Sequence, residues 1–457
     1  MTLTSSVAGG RHRVPPGPPL SATPGLLRKL TADRLGMMNY AAARYGDAAR
    51  LAVGPKTLYV FNHPDHAKHV LADNAGNYHK GIGLVQAKRA IGDGLLTSDG
   101  PLWREQRRLI QPVFQAKRIA DQAPVIADEA DRLVKRLLEH RSDETINVTE
   151  EMTGLTLGVL GRALLEDDLG AFGGIGHSFE AVQDQAMFEM VSLSMVPMWV
   201  PLPKQLRFRK AREHLDGVVD TLVANRLART DGAGDNVMSR LIESTNREAD
   251  PAVARQRMHD ELVTLLLAGH ETTASTLSWS LYLIGEHPHV WQRLHAEAVE
   301  VLGDRQPTSE DLHKLTYTTM VVEEVMRMYP PVWILPRLAQ ADDEVGGYHV
   351  PAGSDVVISP YIMHRHPAFW KDPERFDPER FAPDAVVNRP RYAYIPFGAG
   401  PRFCVGNNLG MIEAVFVLAS IVRRMWLERQ PGYQVVPEPM LSLRIRGGLP
   451  MTVHPMP

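Results

Sequence analysis

The sequence predicts a mainly α-helical protein with small β-sheets. Three observations carry that expectation. From about residue 101 to 328, apolar residues recur at the spacing of one helix face, with short breakers between segments. Runs with strand character are confined to the two ends of the chain. One helical run, roughly 255–287, stands out by its length. The 457 residues are 44% hydrophobic and 23% charged, with a formal net charge of −3. Such a balance argues against a nucleic-acid binder, which would carry a strongly basic face. The length suggests two domains by default, but no internal linker divides the chain. The expectation is therefore one domain over 21–457 behind a flexible, proline-rich segment over 1–20.

The elements follow in order. Residues 1–13 are small, polar or basic and are expected to be disordered. Val14-Pro15-Pro16-Gly17-Pro18-Pro19 is a stiff, extended stretch. No apolar run near the N-terminus is long enough for a membrane span or has the core of a signal peptide, so no membrane anchor is expected. Ala49–Val53 and Thr57–Phe61 flank Gly54-Pro55 as a hairpin, and a short helix begins at Asn62-His63-Pro64-Asp65. Helices are then expected at about 101–117, 120–140, 147–166, 175–193, 207–229, 234–245, 255–287, 288–302, 308–313 and 315–328. After Tyr329-Pro330-Pro331 prolines and glycines multiply. The stretch Gly346–Gly353, followed by Val356–Ser359, reads as a small hairpin. Residues 365–403 are poorly periodic, which in a compact protein marks a functional loop. A helix returns at about 406–425, and the end reads as β-structure. The only duplication is Asp372-Pro373-Glu374-Arg375-Phe376 beside Asp377-Pro378-Glu379-Arg380-Phe381.

Two places carry chemistry. The first is the only cysteine, Cys404, in Phe397-Gly398-Ala399-Gly400-Pro401-Arg402-Phe403-Cys404-Val405-Gly406. It cannot form an internal disulfide, so it packs, attacks or ligates a metal. Most free cysteines are small buried hydrophobes. Here three glycines in ten residues allow tight bends or close approach to something flat. A cationic Arg402 nearby favours a thiolate. A glycine-rich loop presenting one thiolate suits a haem iron. A nucleophilic role is weaker, because no histidine stands near Cys404 in sequence. The second place is Ala268-Gly269-His270-Glu271-Thr272-Thr273-Ala274-Ser275, inside the long apolar helix. A mid-helix glycine costs about 1 kcal/mol relative to alanine, and hydroxyls there bond back to earlier carbonyls. A buried acid costs more unless paired. The combination reads either as a polar patch facing solvent or as a helix opened locally for water or a ligand, with Glu271 and Thr272 as a proton-delivery pair.

These residues resemble the cytochrome P-450 superfamily of haem-thiolate monooxygenases. The cysteine loop matches the pattern F-x-x-G-x-R-x-C-x-G at every fixed position, and Ala-Gly-His-Glu-Thr-Thr is similar to the family's oxygen-activation motif. Glu324-Val325-Met326-Arg327 resembles its E-x-x-R, although alone such a pair is usually a solvated surface contact. Trp103-Arg104-Glu105-Gln106-Arg107 resembles W-x-x-x-R, although Trp103 alone would read as a core aromatic. The four motifs stand in family order, and the likeness covers the chain after residue 14. It implies a triangular helical prism with haem b between the long central helix and the cysteine loop. Cys404 would be the iron ligand, with Phe397 packed near the sulfur. Trp103, Arg107, Arg337 and Arg402 would hold the propionates, since arginine suits carboxylates; Lys80 is a looser candidate. Glu271 and Thr272 would deliver protons for dioxygen activation. Glu324, Arg327 and one meander arginine would form a structural triad; Arg375 and Arg380 both qualify, and the F-x-P-E-R-F setting favours Arg380.

The expected activity is insertion of one oxygen atom from O2 into a bulky apolar molecule, of terpenoid or polyketide type. Two features point to such a substrate: the methionine-rich stretch 187–203, read as pocket roof or as core packing, and Val332-Trp333-Ile334-Leu335. A fatty-acid hydroxylase, a peroxide-using haem-thiolate enzyme and a non-catalytic haem sensor are the alternatives; the Glu271–Thr272 pair disfavours the last two. One cysteine cannot hold an iron–sulfur cluster, so electrons are expected from a ferredoxin and its reductase. Arg104, Arg107, Arg108, Lys117, Arg118, Arg389 and Arg391 could form a basic docking face or an ordinary solvated surface. The protein is expected to be a cytoplasmic monomer, since the lack of cysteine pairs fits a reducing compartment.

Overall fold

A computed structural model describes residues 13–53, 56–140, 144–228, 236–245 and 248–456. Most of the N-terminal segment expected to be disordered, the Gly54-Pro55 turn and the facing ends of two expected helices near 229–235 lie outside the described residues. From Arg13 onward the chain lies against the body: the Arg50 amide donates to the Pro16 carbonyl and the His349 amide to the Arg13 carbonyl.

The N-terminal part contains α1 (Thr23–Ala32), α2 (Arg34–Tyr45), β1 (Ala48–Val53), β2 (Lys56–Phe61), α3 (Pro64–Lys68), β3 (Tyr78–Lys80) and α4 (Leu84–Ile91). The hairpin and the helix at Pro64 are as expected; α1, α2, β3 and α4 carry no clear period in the sequence. The helical body follows: α5 (Gly100–Ile110), α6 (Ala116–Asp121), α7 (Ala123–Glu139), a short β4 (Thr145–Asn147), α8 (Val148–Leu160), α9 (Ile175–Val191), α10 (Pro203–Ala228), α11 (Val237–Thr245), α12 (Pro251–Glu286), α13 (Pro288–Leu302) and α14 (Thr316–Met328). Prolines set several boundaries that periodicity blurs. The helix expected over 101–117 stops at Ile110 because Pro112 forces a tighter turn, and Pro124 starts α7 separately from α6. The segment near 308–313 is a single turn, Ser309–Asp311.

After α14 come β5 (Leu335–Ala339), β6 (Asp343–Val345), β7 (Tyr348–Val350), β8 (Asp355–Ile358) and two short helices, α15 (Pro360–Met363) and α16 (Pro383–Val386). The chain ends with α17 (Asn407–Arg424), β9 (Met425–Arg429), β10 (Pro437–Pro439), β11 (Leu443–Ile445) and β12 (Pro450–Pro455). The expected hairpin over 346–359 is corrected. Gly346-Gly347 turns β6 into β7, whereas β8 leaves to join the main sheet. That sheet has the order β1-β2-β8-β5-β3, with β2 and β8 parallel and the other pairs antiparallel. In it Lys80 of β3 stands directly opposite Arg337 of β5.

The main core forms where α12 meets α8, α14 and α17, with α7 packed on α8 and α17. Asp250 caps α12 by accepting from the Ala252 amide at 2.8 Å. No described helix is long and apolar enough to cross a membrane. The mainly helical architecture with small sheets is the one the sequence predicts.

Candidate active site

The cysteine loop is shaped by two left-handed glycines, Gly398 at φ +71° and Gly400 at φ +68°. Gly400 is the constrained one: a Cβ there would lie 1.8 Å from the Leu71 carbonyl oxygen. The Cys404 amide donates to the Phe397 carbonyl at 3.0 Å, closing the loop. The rings of Phe397 and Phe403 lie 6.3 Å apart, centroid to centroid. Cys404 has an exposed surface, yet its sulfur sits deep within the protein envelope. A group that is both deep and open lines an internal hollow.

The opposite wall is α12. Its residues 273–281 are buried, but Ala268 is exposed and Gly269, Glu271 and Thr272 are half-open. A Cβ on Gly410, at the start of α17, would lie 3.7 Å from Thr273 Oγ1 and 4.0 Å from the Phe397 ring. This close crossing sets α12 across from the cysteine loop.

Gly269 corrects one expectation. The helix runs unbroken from Pro251 to Glu286, so it is not opened at this glycine. A Cβ there would come within 2.7 Å of Leu160 in α8, and the glycine lets the two helices touch. Thr272 Oγ1 donates to the Ala268 carbonyl at 2.8 Å. The Glu271 carboxyl instead accepts from Ser442 Oγ at 2.6 Å. Burial pushes Glu271 up to about 7 against the Ser442 donor, the charge of Arg444 and the nearby Gln183 amide.

The cations converge. Lys80 and Arg337 are buried neighbours in register, and like charges directly opposed destabilise a ladder. Arg402 ion-pairs with Asp99 and sits 5.1 Å from the Trp103 ring centroid; its Nη1 is buried with no hydrogen-bond partner. Burial and the charges of Arg402, Arg337 and Arg107 bring Lys80 down to about 7, opposed by Asp99. Burial and then Arg402 lower Arg337 to about 10. The Lys80 ammonium donates to the Leu95 carbonyl at 3.2 Å and to the Leu96 carbonyl. Three clustered cations around one carboxylate leave positive charge to balance, which fits a ligand bearing two carboxylates, as haem does.

Arg107 is placed differently from the other cations. Its Nη1 donates to the Phe403 carbonyl at 2.7 Å and its Nε to Gln111 at 2.9 Å, so it ties α5 to the cysteine loop. This changes the electrostatics assigned to Cys404. Burial is the main influence and raises the thiol; the Gly406 amide and then the Arg107 charge oppose it. The cation acting on the sulfur is therefore Arg107, while Arg402 is engaged with Asp99.

The meander ambiguity resolves to Arg380. Glu324 and Arg327 are both fully buried, paired at 2.6 Å, and Arg380 Nε lies 3.4 Å from Glu324. Arg375 pairs with Asp377 at the surface and offers only its backbone carbonyl to Arg327, at 3.3 Å.

Other expected residues divide. Trp333 turns away into the N-terminal core, donating to the Met440 carbonyl at 2.9 Å. In 187–203, Met187 is core, whereas Met195 and Trp199 are 77% and 75% exposed. Of the basic-face candidates, Arg389 stacks inward on Trp370 and Phe381. A cleft of about 490 Å³ borders the loop, lined in part by Met326, Arg391, Tyr392, Phe397, Phe403 and Met411. Sequence reasoning missed Asp99, Ser442 and Gln183, since nothing local marks a polar residue whose partner is remote.

Comparison with known proteins agrees with this arrangement. The profile of the family described as Cytochrome P450 matches residues 15–450. Cyclooctatin synthase of Streptomyces melanosporofaciens is 36% identical over 437 residues, covering 95% of this chain and 94% of that protein. Cyclooctat-9-en-7-ol 5-monooxygenase of the same organism is 34% identical, covering 90% and 89%. Protein LUTEIN DEFICIENT 5, chloroplastic, of Arabidopsis thaliana is 34% identical, covering 85% and 68%.

Proposed function

Since this chain belongs to the cytochrome P450 family, we propose that it hydroxylates a bulky apolar terpenoid, with Cys404 as the iron ligand of its haem b and electrons from a separate redox protein. Its class is that of an oxygen-incorporating oxidoreductase. Thiolate-ligated haem supplies the activation of dioxygen, because electron donation from sulfur favours cleavage of the O–O bond.

The chain's own residues take the remaining roles. Arg337 and Arg402 hold the propionates, with Lys80 as a third cation and Trp103 under the Arg402 guanidinium. Arg107 fastens the loop that carries Cys404, and Phe397 shields the sulfur. Glu271 stores a proton near neutral pH, where an acid–base group is most useful, and Thr272 passes protons on through water. One observation supports this assignment most: Lys80 and Arg337 are opposed in register beside the unpartnered Nη1 of Arg402, a costly cluster that a dicarboxylate relieves.

A terpenoid substrate is supported by the activity for which the cyclooctat-9-en-7-ol 5-monooxygenase relative is named. The lack of a second cysteine supports an external electron donor, and a lone thiol suits a reducing compartment. The cleft beside the cysteine loop, with Arg391 at its edge, is our choice for where that donor approaches.

The test has two arms. The ferrous carbon monoxide complex of the haem-loaded protein should show the thiolate-type Soret band, and Cys404→Ser should lose it; retention in the variant sinks the ligand assignment. With cyclooctat-9-en-7-ol, a ferredoxin, its reductase and labelled O2, one labelled oxygen atom should enter the product. In that assay Thr272→Ala should form less product per reductant consumed, and equal coupling would remove Thr272 from proton delivery.

A further inference from the structure

The side chains of Glu271, Ser275 and Trp279 recur every four residues, so they share one stripe of α12. All three meet the same short hairpin, β10–β11. Ser442 Oγ donates to Glu271 at 2.6 Å, Ser275 Oγ donates to the Leu443 carbonyl at 2.6 Å, and Trp279 Nε1 donates to that same carbonyl at 2.9 Å. The hairpin is thus stitched along two turns of the helix, and its end holds the acid. Ser442 is 2% exposed, so its hydroxyl works in a medium where a hydrogen bond to a carboxylate is strong. From α9, the Gln183 amide lies near enough to favour the ionised carboxyl. The charged group facing Glu271 is Arg444 of β11, itself engaged by Glu438 at 2.9 Å and near Glu180 of α9. The α8 neighbour of this stretch of helix is the apolar Leu160.

We propose that Ser442 is a positioning residue for the reaction, holding the Glu271 carboxyl on the hairpin side of α12 and keeping it exchangeable. This rests on the reading of Glu271 as the proton store. Thr272 Oγ1 donates to the Ala268 carbonyl and not to Glu271, so the hairpin, through Ser442, fixes where Glu271 holds its proton. Burial alone drives a carboxyl towards the neutral form, and a donated O–H favours the ionised form. Without that donor the acid would stay protonated through neutral pH and give up its proton poorly.

The experiment is infrared spectroscopy of the haem-loaded protein across pH, taking the carboxyl band present in the parent and absent from Glu271→Gln. In the parent the band should titrate near neutral pH. Ser442→Ala should raise the carboxyl's proton affinity about tenfold, moving the midpoint up by about one pH unit, and should shift the band to higher frequency. Ser442→Thr should restore both. Ser442→Cys, which keeps the volume but offers only a weak S–H donor, should also raise the midpoint and carries the test if Ser442→Ala does not fold. An unmoved midpoint in Ser442→Ala, or in Ser442→Cys where that variant stands alone, overturns the proposal. So does the absence of any titrating band that Glu271→Gln removes. The carbon monoxide spectrum of the same samples reports the iron ligand independently, so failure of the haem assignment is told apart from failure of the Ser442 role.

Discussion

Replacing Gly269 by alanine tests whether that glycine serves helix packing. The added Cβ would lie 2.7 Å and 2.8 Å from the two methyls of Leu160 and 3.3 Å from its Cγ. Leu160 is itself buried in the main core, so relief requires an off-rotamer side chain or a shift of α8. Overpacking of this kind costs about 1–3 kcal/mol. Alanine in place of glycine returns about 1 kcal/mol of helix propensity. The net expectation is a loss of about 1 kcal/mol, too small to interpret alone. The Leu160→Ala background decides the matter. That change costs about 2–5 kcal/mol by leaving a cavity, but it also removes the obstacle. In it Gly269→Ala should stabilise by about 1 kcal/mol, giving a coupling of about 2 kcal/mol between the two sites. Urea unfolding of all four proteins, followed by circular dichroism, measures the cycle. Zero coupling, or a Gly269→Ala variant more stable than its parent with Leu160 intact, refutes the packing argument.

Two further perturbations have outcomes set by the same geometry. Arg327→Met removes bonds to Glu324, His364, Pro373 and Arg375 and leaves the buried Glu324 with Arg380 and the Asp377 amide as its partners; the expected loss is about 3–5 kcal/mol, read as a lower unfolding midpoint and reduced haem content. A loss below about 1 kcal/mol would remove this pair from the framework. Gly400→Ala should abolish the thiolate-type carbon monoxide spectrum while leaving helix content intact, because its Cβ meets backbone. Gly398→Ala should be far milder, since no atom lies within 4 Å and only left-handed strain of about 1–2 kcal/mol is added. Equal effects at the two glycines would contradict the loop geometry.

The parts legible in the sequence were those fixed by neighbours along the chain. Helical periodicity gave most of the body, and prolines explain where its boundaries moved. The cysteine loop, the central helix and Arg380 were readable because each motif is local. What stayed hidden depends on remote partners. Lys80 looked like a stray cation until β3 paired with β5 and set it against Arg337. Trp333 resembled a pocket residue, but its indole faces Met440 across the N-terminal core. Gly269 looked like a weakness in a helix, and only its distance from Leu160 shows it as a contact. Ser442 sits in an unremarkable Leu-Ser-Leu, and nothing local announces the acid it holds.

The electrostatics of Cys404 bear on what the thiol is for. Arg402, two residues before the cysteine, is engaged with Asp99 and Trp103, while Arg107, remote in sequence, reaches the loop through the Phe403 carbonyl. Even so, burial outweighs the Gly406 amide and the Arg107 charge, and the thiol is raised. A nucleophilic cysteine requires the opposite, a thiol lowered by its surroundings. A metal ligand does not, because the metal's own charge deprotonates the coordinating thiol. The loop would therefore suit a metal ligand better than a nucleophile: the sulfur is held by the Cys404–Phe397 backbone bond, with the Gly406 amide and the Arg107 charge placed to share the negative charge of a thiolate.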